Sequence, residues 1–214
     1  MEKIYDVTAL GELLIDFTEN GTSAQGNPLL EANPGGAPCN VLAMLEKLGK
    51  KTAFIGKVGK DMFGEQLKTA VEEVGIDTRN LVMDEEVHTT LAFVHTYPDG
   101  DRDFSFYRNP GADMMLKESE VKEELIKESK LFHFGTLSMT HEDVRKATKK
   151  AIQIAEDAGN IISFADLPFP VIVFHPRFYG ITQEICISVL ICRCRSHKII
   201  LPVDDPCICQ GPVS

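Results

Sequence analysis

Hydrophobic positions in residues 1–164 follow two periods, one typical of strands and one typical of helices. Short apolar runs predict strands over Tyr5–Leu10, Leu13–Phe17, Thr52–Ile55, Leu131–Phe134 and Asn160–Phe164. Between these runs, apolar residues recur at helical spacing and predict helices. Strands that alternate with helices favour a parallel sheet covered by helices on both faces, which is an α/β fold.

Capping residues predict where the helices begin and end. Asp61 is the predicted N-cap of the helix that follows the third strand, and Gly75 ends that helix. A longer helix is predicted to run to Ala158. We expect Thr140 to cap its first turn, with Asp143 completing a capping box.

A hairpin interrupts the alternation of strands and helices. Its arms are Thr89–Thr96 and Asp103–Tyr107, which flank the turn Pro98-Asp99-Gly100-Asp101. A hairpin does not fit between parallel strands, so we expect a small antiparallel insertion that projects from the sheet. Such an insertion would serve as a lid.

Composition and charge restrict the class of protein. The chain has 214 residues, of which 43% are hydrophobic, enough for an ordinary globular core. Its net charge of −10 argues against nucleic acid or an anionic membrane surface as a partner. The first residues do not have the basic and apolar regions of a secretory signal, and no apolar run is long enough to span a membrane. We therefore expect a cytoplasmic protein.

The composition changes near residue 164. Five of the six cysteines lie in residues 186–214, and six of the eleven prolines follow residue 164. Acidic and basic residues balance in residues 165–214, so the whole net charge belongs to residues 1–164. We therefore divide the chain into an α/β part, residues 1–164, and a divergent Cys/Pro-rich tail, residues 165–214.

The most informative stretch is Asn33-Pro34-Gly35-Gly36-Ala37-Pro38-Cys39-Asn40, ahead of a predicted helix. A Gly-Gly pair before a helix N-terminus lets a ligand approach backbone N–H groups. Asn40 lies in the first turn and offers a donor and an acceptor to hydroxyl groups. Taken alone, two glycines before a helix are also typical of a plain tight turn. The pattern continues through Leu48-Gly49, Phe54-Ile55-Gly56, Val58-Gly59 and Asp61-Met62-Phe63-Gly64.

This longer pattern resembles the first signature of the ribokinase (PfkB) family of carbohydrate kinases, and the resemblance covers residues 5–164. Two segments, Phe104–Asp113 and His133–Ser138, are similar to the fructokinase branch. The resemblance implies a three-layer ribokinase-like fold with a small β lid, formed by about residues 12–34 and 87–109. The implied activity is ATP-dependent phosphorylation of D-fructose to fructose 6-phosphate, with ATP and Mg²⁺ as cofactors.

The resemblance also implies which residues bind the sugar. Asp16 matches the family's sugar-binding aspartate, and a carboxylate accepts hydrogen bonds from hydroxyl groups. Arg108 matches an arginine that reaches the sugar from the lid, and its guanidinium offers five fixed donors. Without the resemblance, Asp16 would be interpreted as a solvated residue at a strand end and Arg108 as a surface residue. The implied substrate site consists of Asp16, Gly35, Gly36, Asn40 and Arg108.

The family's catalytic signature does not occur in these 214 residues. In the family, a Gly-Ala-Gly-Asp turn stabilises the transferring phosphoryl group, and its Asp takes the proton of the sugar hydroxyl. Gly111-Ala112-Asp113 belongs to the lid region instead. After Phe164 the family continues with Asp-Pro-Asn, whereas this chain continues with Ala165-Asp166-Leu167-Pro168. We therefore expect a fold truncated in its C-terminal half, no catalytic residue, a nucleotide site largely missing, and almost no turnover.

Two other functions stay open. The chain would be a non-catalytic sugar-binding or dimerising fragment, since lids of this family often pair in homodimers. Alternatively, Cys192-Arg193-Cys194 and Cys207-Ile208-Cys209, with His197 between them, would supply zinc ligands. Because C-x-C pairs are less specific than C-x-x-C pairs, an unrelated tail that binds no metal tightly is favoured. We expect His133 to be a packed core residue.

Overall fold

The computed structural model describes residues 2–97, 101–165 and 172–174. The turn at residues 98–100 and the cysteine-rich part of the tail, on which the zinc hypothesis rests, lie outside these ranges. The strands are β1 (Tyr5–Leu10), β2 (Leu14–Thr22), β3 (Pro28–Gly35), β4 (Thr52–Gly59), β5 (Asp77–Asp84), β6 (Leu91–Thr96), β7 (Arg102–Tyr107), β8 (Ser129–Gly135), β9 (Ile161–Ala165) and β10 (Ile172–Phe174). The helices are α1 (Ala37–Lys47), α2 (Met62–Val74), α3 (Glu123–Lys127) and α4 (Glu142–Asp157).

The larger sheet has six described strands in the order β10-β9-β8-β1-β4-β5. All neighbouring pairs from β9 to β5 are parallel, and only β10 runs antiparallel to its neighbour. In the register of this sheet, Ala9 lies between Phe54 of β4 and His133 of β8. The carboxyl ends of β1, β4, β8 and β9 therefore meet at one edge, where open α/β sheets bind ligands.

Helices cover both faces of the larger sheet, so the predicted three-layer fold is confirmed. On one face, α1 and α2 bury a cluster with Cys39, Leu42, Leu67, Val71, Ala9 and Phe54. On the other face, α3 and α4 bury a second cluster with Leu125, Ile126, Val144, Ala147, Ala151 and Phe132. Burying each large apolar side chain contributes on the order of 2 kcal/mol, and this stabilises the layers against one another.

The predicted capping of α2 is confirmed. Asp61 accepts hydrogen bonds at Oδ1 from the backbone N–H groups of Phe63 (3.1 Å) and Gly64 (2.9 Å). Gly75 follows the last helical residue in the left-handed conformation, with a φ of 105°.

The predicted cap of α4 is wrong. The helix begins at Glu142, and the residue before it, His141, makes no side-chain capping bond. Thr140 instead follows a short 3-10 helix, Thr136–Met139, and its Oγ1 donates to the carbonyl of Leu137 at 2.7 Å. The Thr140 hydroxyl is therefore occupied by the turn before α4 and does not cap the helix.

A second sheet has four described strands in the order β3-β2-β6-β7. β6 and β7 pair antiparallel, which confirms the predicted hairpin, and β2 lies parallel to β6. The hairpin thus forms one half of this four-stranded sheet, and β2 and β3 form the other half. The chain passes between the two sheets through four segments, residues 11–13, 36–51, 85–90 and 108–128, of which the second contains α1 and the fourth contains α3.

Candidate functional site

The segments that join the two sheets pack together at the carboxyl ends of β1 and β8. A Cβ atom added to Gly11, after β1, would lie 2.5 Å from Cγ of Pro38 in α1. One added to Gly135, at the end of β8, would lie 2.9 Å from the same atom. These glycines therefore allow the first turn of α1 to approach the strand ends closely.

Asp16 lies on β2, paired with Asn33 of β3 and beside Ala92 of β6. A Cβ atom on Gly35 would lie only 2.1 Å from Oδ2 of Asp16, so the carboxylate occupies the space that a side chain at position 35 would fill. No residue in the described part of the chain hydrogen-bonds to this carboxylate, which is half-buried. Burial raises the pKa of Asp16 above its usual value.

Gly36 precedes α1 with a φ of 121°, a conformation that favours glycine. The first helical N–H, that of Ala37, donates to Oε1 of Glu12 at 2.9 Å, so the helix N-terminus is only partly open to a ligand. Asn40, one turn further, is exposed. The expected Gly-Gly turn therefore lies at this N-terminus, with Asn40 facing outward beside it.

Glu12 is a site residue that the sequence analysis did not single out. It is 3% exposed, its Oε1 caps α1, and its Oε2 has no described hydrogen-bond partner. Burial, as the main cause, raises the pKa of Glu12. The signal in the sequence is an acidic residue inside the apolar run Ala9–Ile15.

Arg108 follows β7 and is bound tightly to the protein. Its Nε donates to Oδ2 of Asp113 at 2.8 Å, and its Nη2 lies 2.7 Å from the same oxygen in an ion pair. Nη1 donates to Oγ1 of Thr140 at 3.2 Å, and Nη2 also donates to the carbonyl of Leu137 at 3.3 Å. Three of the five N–H groups of the guanidinium therefore donate to the protein, and one on Nη1 and one on Nη2 are left.

Asp113 connects this arginine to the strand that carries Asp16. Its side chain is 2% exposed, and its Oδ1 accepts a hydrogen bond from the hydroxyl of Thr90 at 2.5 Å. The carbonyl of Thr90 accepts in turn from the backbone N–H of Ile15 at 3.1 Å. In the sequence, Asp113 is only the last residue of a segment similar to the fructokinase branch, and no role is predicted for it.

One face of the second sheet combines polar and aromatic side chains. The register places Asp16, Asn33, Ala92 and Phe106 side by side on this face. Phe104 and Phe106 stack there with ring centroids 6.0 Å apart, and each is about half exposed. A face with hydroxyl-binding groups beside an apolar surface suits a polyol, which has both O–H and C–H groups.

His133 is buried, as predicted, between β1 and β9. Its Nδ1 lies 2.8 Å from Oγ of Ser163, and its Nε2 has no described partner. Burial lowers the pKa of His133 to about 4, so the ring is neutral near pH 7.

Within residues 2–97 and 101–165, no three His, Cys, Asp or Glu side chains come together as metal ligands. None of the described helices is long and apolar enough to cross a membrane.

Comparisons with known proteins agree with this geometry. Residues 5–171 match the sequence pattern described as pfkB family carbohydrate kinase. Probable fructokinase-5 of Arabidopsis thaliana is 45% identical over 161 residues, which cover 74% of this chain and 49% of that protein. Fructokinase-1 of Oryza sativa subsp. japonica is 43% identical over 160 residues, covering 74% of this chain and 50% of that protein.

Solved structures give the same result. The crystal structure of fructokinase from Xylella fastidiosa superposes with a TM-score of 0.71 at 31% identity, covering 85% of this chain and 55% of that one. A second structure of a fructokinase from that organism, with bound ATP, has a TM-score of 0.71 at 30% identity, covering 85% and 56%. The chain spans about half the length of the curated relatives that it matches.

Proposed function

The chain belongs to the pfkB family of carbohydrate kinases, and we propose from this premise that residues 1–164 form the sugar-binding part of a fructokinase-type enzyme. The reaction would be transfer of a phosphoryl group from ATP to D-fructose, giving fructose 6-phosphate. In this proposal, Asp16, Gly35, Gly36, Asn40 and Arg108 hold the sugar.

The observation that carries the proposal is the state of the Asp16 carboxylate. It is half-buried against Gly35 and has no hydrogen-bond partner among the described residues. A half-buried carboxylate without a partner in the protein is free to accept hydrogen bonds from a ligand. A sugar with neighbouring hydroxyl groups donates to both carboxylate oxygens without bringing a charge.

The other residues of the proposed site are consistent with a neutral polyol as that ligand. The exposed amide of Asn40 and the two remaining N–H groups of Arg108 would donate hydrogen bonds, while Phe104 and Phe106 offer an apolar surface to C–H groups. The relatives described above are named fructokinases, and this favours fructose over other sugars.

The role of these residues in catalysis would be to position the sugar. Phosphoryl transfer depends mainly on holding donor and acceptor in line and on stabilising the charge of the transferring group. The second task falls to the family's Gly-Ala-Gly-Asp turn, which is not found in these 214 residues. We therefore expect this chain to bind the acceptor and to have almost no turnover on its own. A cytoplasmic location stays a prediction.

Isothermal titration with fructose and with ribose tests the proposal. We expect fructose to bind in a one-to-one complex and ribose to bind at least several-fold more weakly. The proposal would be contradicted if a cooperatively folded chain showed only the heat of dilution with both sugars.

We also propose that two chains pair through the second sheet. On the face opposite Asp16, Leu30 and Tyr107 are largely exposed, and such apolar surface is typical of an interface. Sedimentation velocity should show a dimer that becomes a monomer in the double variant Leu30→Glu, Tyr107→Glu. A monomer at all concentrations for the unchanged chain would contradict pairing.

A further inference from the structure

The hydrogen bonds among Thr90, Asp113 and Arg108 form a buried chain at the base of the second sheet. Asp113 accepts from the hydroxyl of Thr90 with one carboxylate oxygen and from Nε of Arg108 with the other, which also lies in an ion pair with Nη2. Because the side chains of Asp113 and Arg108 are 2% and 12% exposed, separating them would leave a buried charge without a partner. This pair is therefore expected to hold its geometry.

We propose that Asp113 is a positioning residue for the sugar site: with Thr90, it fixes the Arg108 guanidinium relative to Asp16. This inference rests on the proposed sugar-binding function. Asp113, Thr140 and Leu137 each accept one N–H of Arg108, so one N–H on Nη1 and one on Nη2 are left for the sugar. Arg108 then offers these two donors from one fixed position.

The backbone connects the two ends of this arrangement. The N–H of Ile15, next to Asp16, donates to the carbonyl of Thr90, whose hydroxyl donates to Asp113. Thr90 thus sets the spacing between the strand of Asp16 and the carboxylate that holds Arg108.

Thr89 anchors the same segment to the larger sheet and to α2. Its backbone N–H donates to Oδ2 of Asp61 at 2.8 Å, and its hydroxyl donates to Oδ1 at 2.8 Å. The N–H of Gly59 at the end of β4 donates to the same hydroxyl at 3.0 Å. Thr90, whose hydroxyl donates to Asp113, therefore follows directly after a residue that is hydrogen-bonded to both β4 and the N-cap of α2.

Gly111 shows how closely this network is packed. A Cβ atom at this position would lie 1.8 Å from Oγ1 of Thr90 and 2.8 Å from Oδ1 of Asp113. Any side chain at position 111 would push the hydroxyl and the carboxylate apart. The glycine and the aspartate of Gly111-Ala112-Asp113 are thus explained by packing and hydrogen bonding, without a role in phosphate binding.

The first test is the NMR signature of the Arg108 guanidinium in the full 214-residue chain. A guanidinium held by several hydrogen bonds rotates slowly about its Nε–Cζ bond, and its two Nη groups give separate signals. The signals are assigned by their loss in Arg108→Lys. We expect separate signals in the unchanged chain and averaged signals in Asp113→Asn.

A matched control is Asp77→Asn, which removes another aspartate that binds an arginine, Arg79, at 2.8 Å. It should leave the Arg108 signals separate. If Asp113→Asn does not fold, Thr90→Val serves in its place, because it removes only the hydroxyl that donates to Asp113. It should also average the Arg108 signals. Separate Arg108 signals in a folded Asp113→Asn or Thr90→Val chain would overturn the positioning role.

Fructose titration of the same variants distinguishes this inference from the proposed function. We expect Asp113→Asn to raise the dissociation constant roughly ten- to a hundredfold. In an Arg108→Ala background, Asp113→Asn should have no further effect, because it acts through that arginine. If Asp113→Asn weakened fructose binding as much in the Arg108→Ala chain as in the unchanged chain, the positioning role of Asp113 would be overturned. An unchanged chain that binds no fructose would refute the proposed function, while the NMR result would still decide the positioning of Arg108.

Discussion

The residues of this site are positioned by contacts between residues that are distant in sequence. The side chain of Asp16 occupies the space above Gly35, and Gly36 packs against the carbonyl of Glu12. The sequence pattern predicts that Asp16 and the glycines belong to one site, because it follows a known family. It does not predict that Arg108 is bound by Asp113, since such a hydrogen bond depends on the packing of three separate segments.

Replacing Asp16 with Asn should weaken fructose binding and at the same time stabilise the fold. Losing a charge-assisted hydrogen bond costs on the order of 1.5–3 kcal/mol, which is roughly a 10- to 150-fold rise in the dissociation constant. The raised pKa of Asp16 means that the folded chain tolerates its ionised form less well than the unfolded chain does. The variant should therefore unfold at higher temperature than the unchanged chain near pH 7.

The stability difference has a defined pH dependence. Below the ordinary carboxyl pKa of 3.8, Asp16 is protonated in both states and the gain should vanish. Asp103→Asn, an exposed change on the opposite face of the same sheet, is the control and should alter neither affinity nor stability. Unchanged fructose affinity in Asp16→Asn would refute its assignment to the sugar site.

Gly36→Ala should destabilise the chain much more than Gly49→Ala. Both glycines have positive φ angles, 121° and 75°, so each substitution costs on the order of 1 kcal/mol in backbone strain. A Cβ atom at position 36 would also lie 2.4 Å from the carbonyl oxygen of Glu12, whereas the space around position 49 is open. Urea denaturation should show at least about 2 kcal/mol between the two variants. An equal loss in the free energy of unfolding for the two variants would mean that the backbone around Gly36 moves to accommodate the added Cβ atom without strain.

At the scale of elements, the periodicity of the sequence predicts the apolar strands and the longer helices but misses β3, β5 and β10. β3 contains Pro28, Glu31, Asn33 and Pro34 and lies at the edge of its sheet, where such residues are tolerated. β5 also lies at an edge. Its buried Asn80 looks like a loop residue but bonds to the backbone of Glu120 and Lys122.

The pairing of β8 with β9 should make stability depend on pH through His133. Its pKa is about 4 in the folded chain and about 6.5 when unfolded, so both states are neutral above pH 6.5. As the pH falls from 6.5 to 4, the unfolded chain gains a proton that the folded chain does not. This difference lowers the free energy of unfolding by about 3 kcal/mol.

Chemical denaturation between pH 4 and pH 7 measures this loss. His133→Asn should reduce the slope of the free energy of unfolding against pH in that range. The same slope in His133→Asn and in the unchanged chain would show that other groups carry the pH dependence.

At the scale of the whole molecule, the described residues account for two layers of helix around a parallel sheet and for a second sheet beside it. The family pattern predicts this architecture, and its assignment of the sugar-site residues stays a prediction. Its match extends to residue 171, slightly past Phe164, where the resemblance was predicted to end. The division at residue 164, the lid function of the second sheet and the zinc hypothesis stay predictions.

The most direct test of the central claim is fructose-dependent release of ADP from ATP. Two proteins are compared: the 214-residue chain, and a chimera in which residues 165–214 are replaced by the C-terminal half of a fructokinase of the family. A single electrostatic element of such a site contributes roughly a hundred- to a thousandfold in rate, so we predict activity for the chimera and no measurable turnover for the chain. Activity of the chimera should be lost with Asp16→Ala. Comparable rates for the chain and the chimera, or an active Asp16→Ala chimera, would contradict the account.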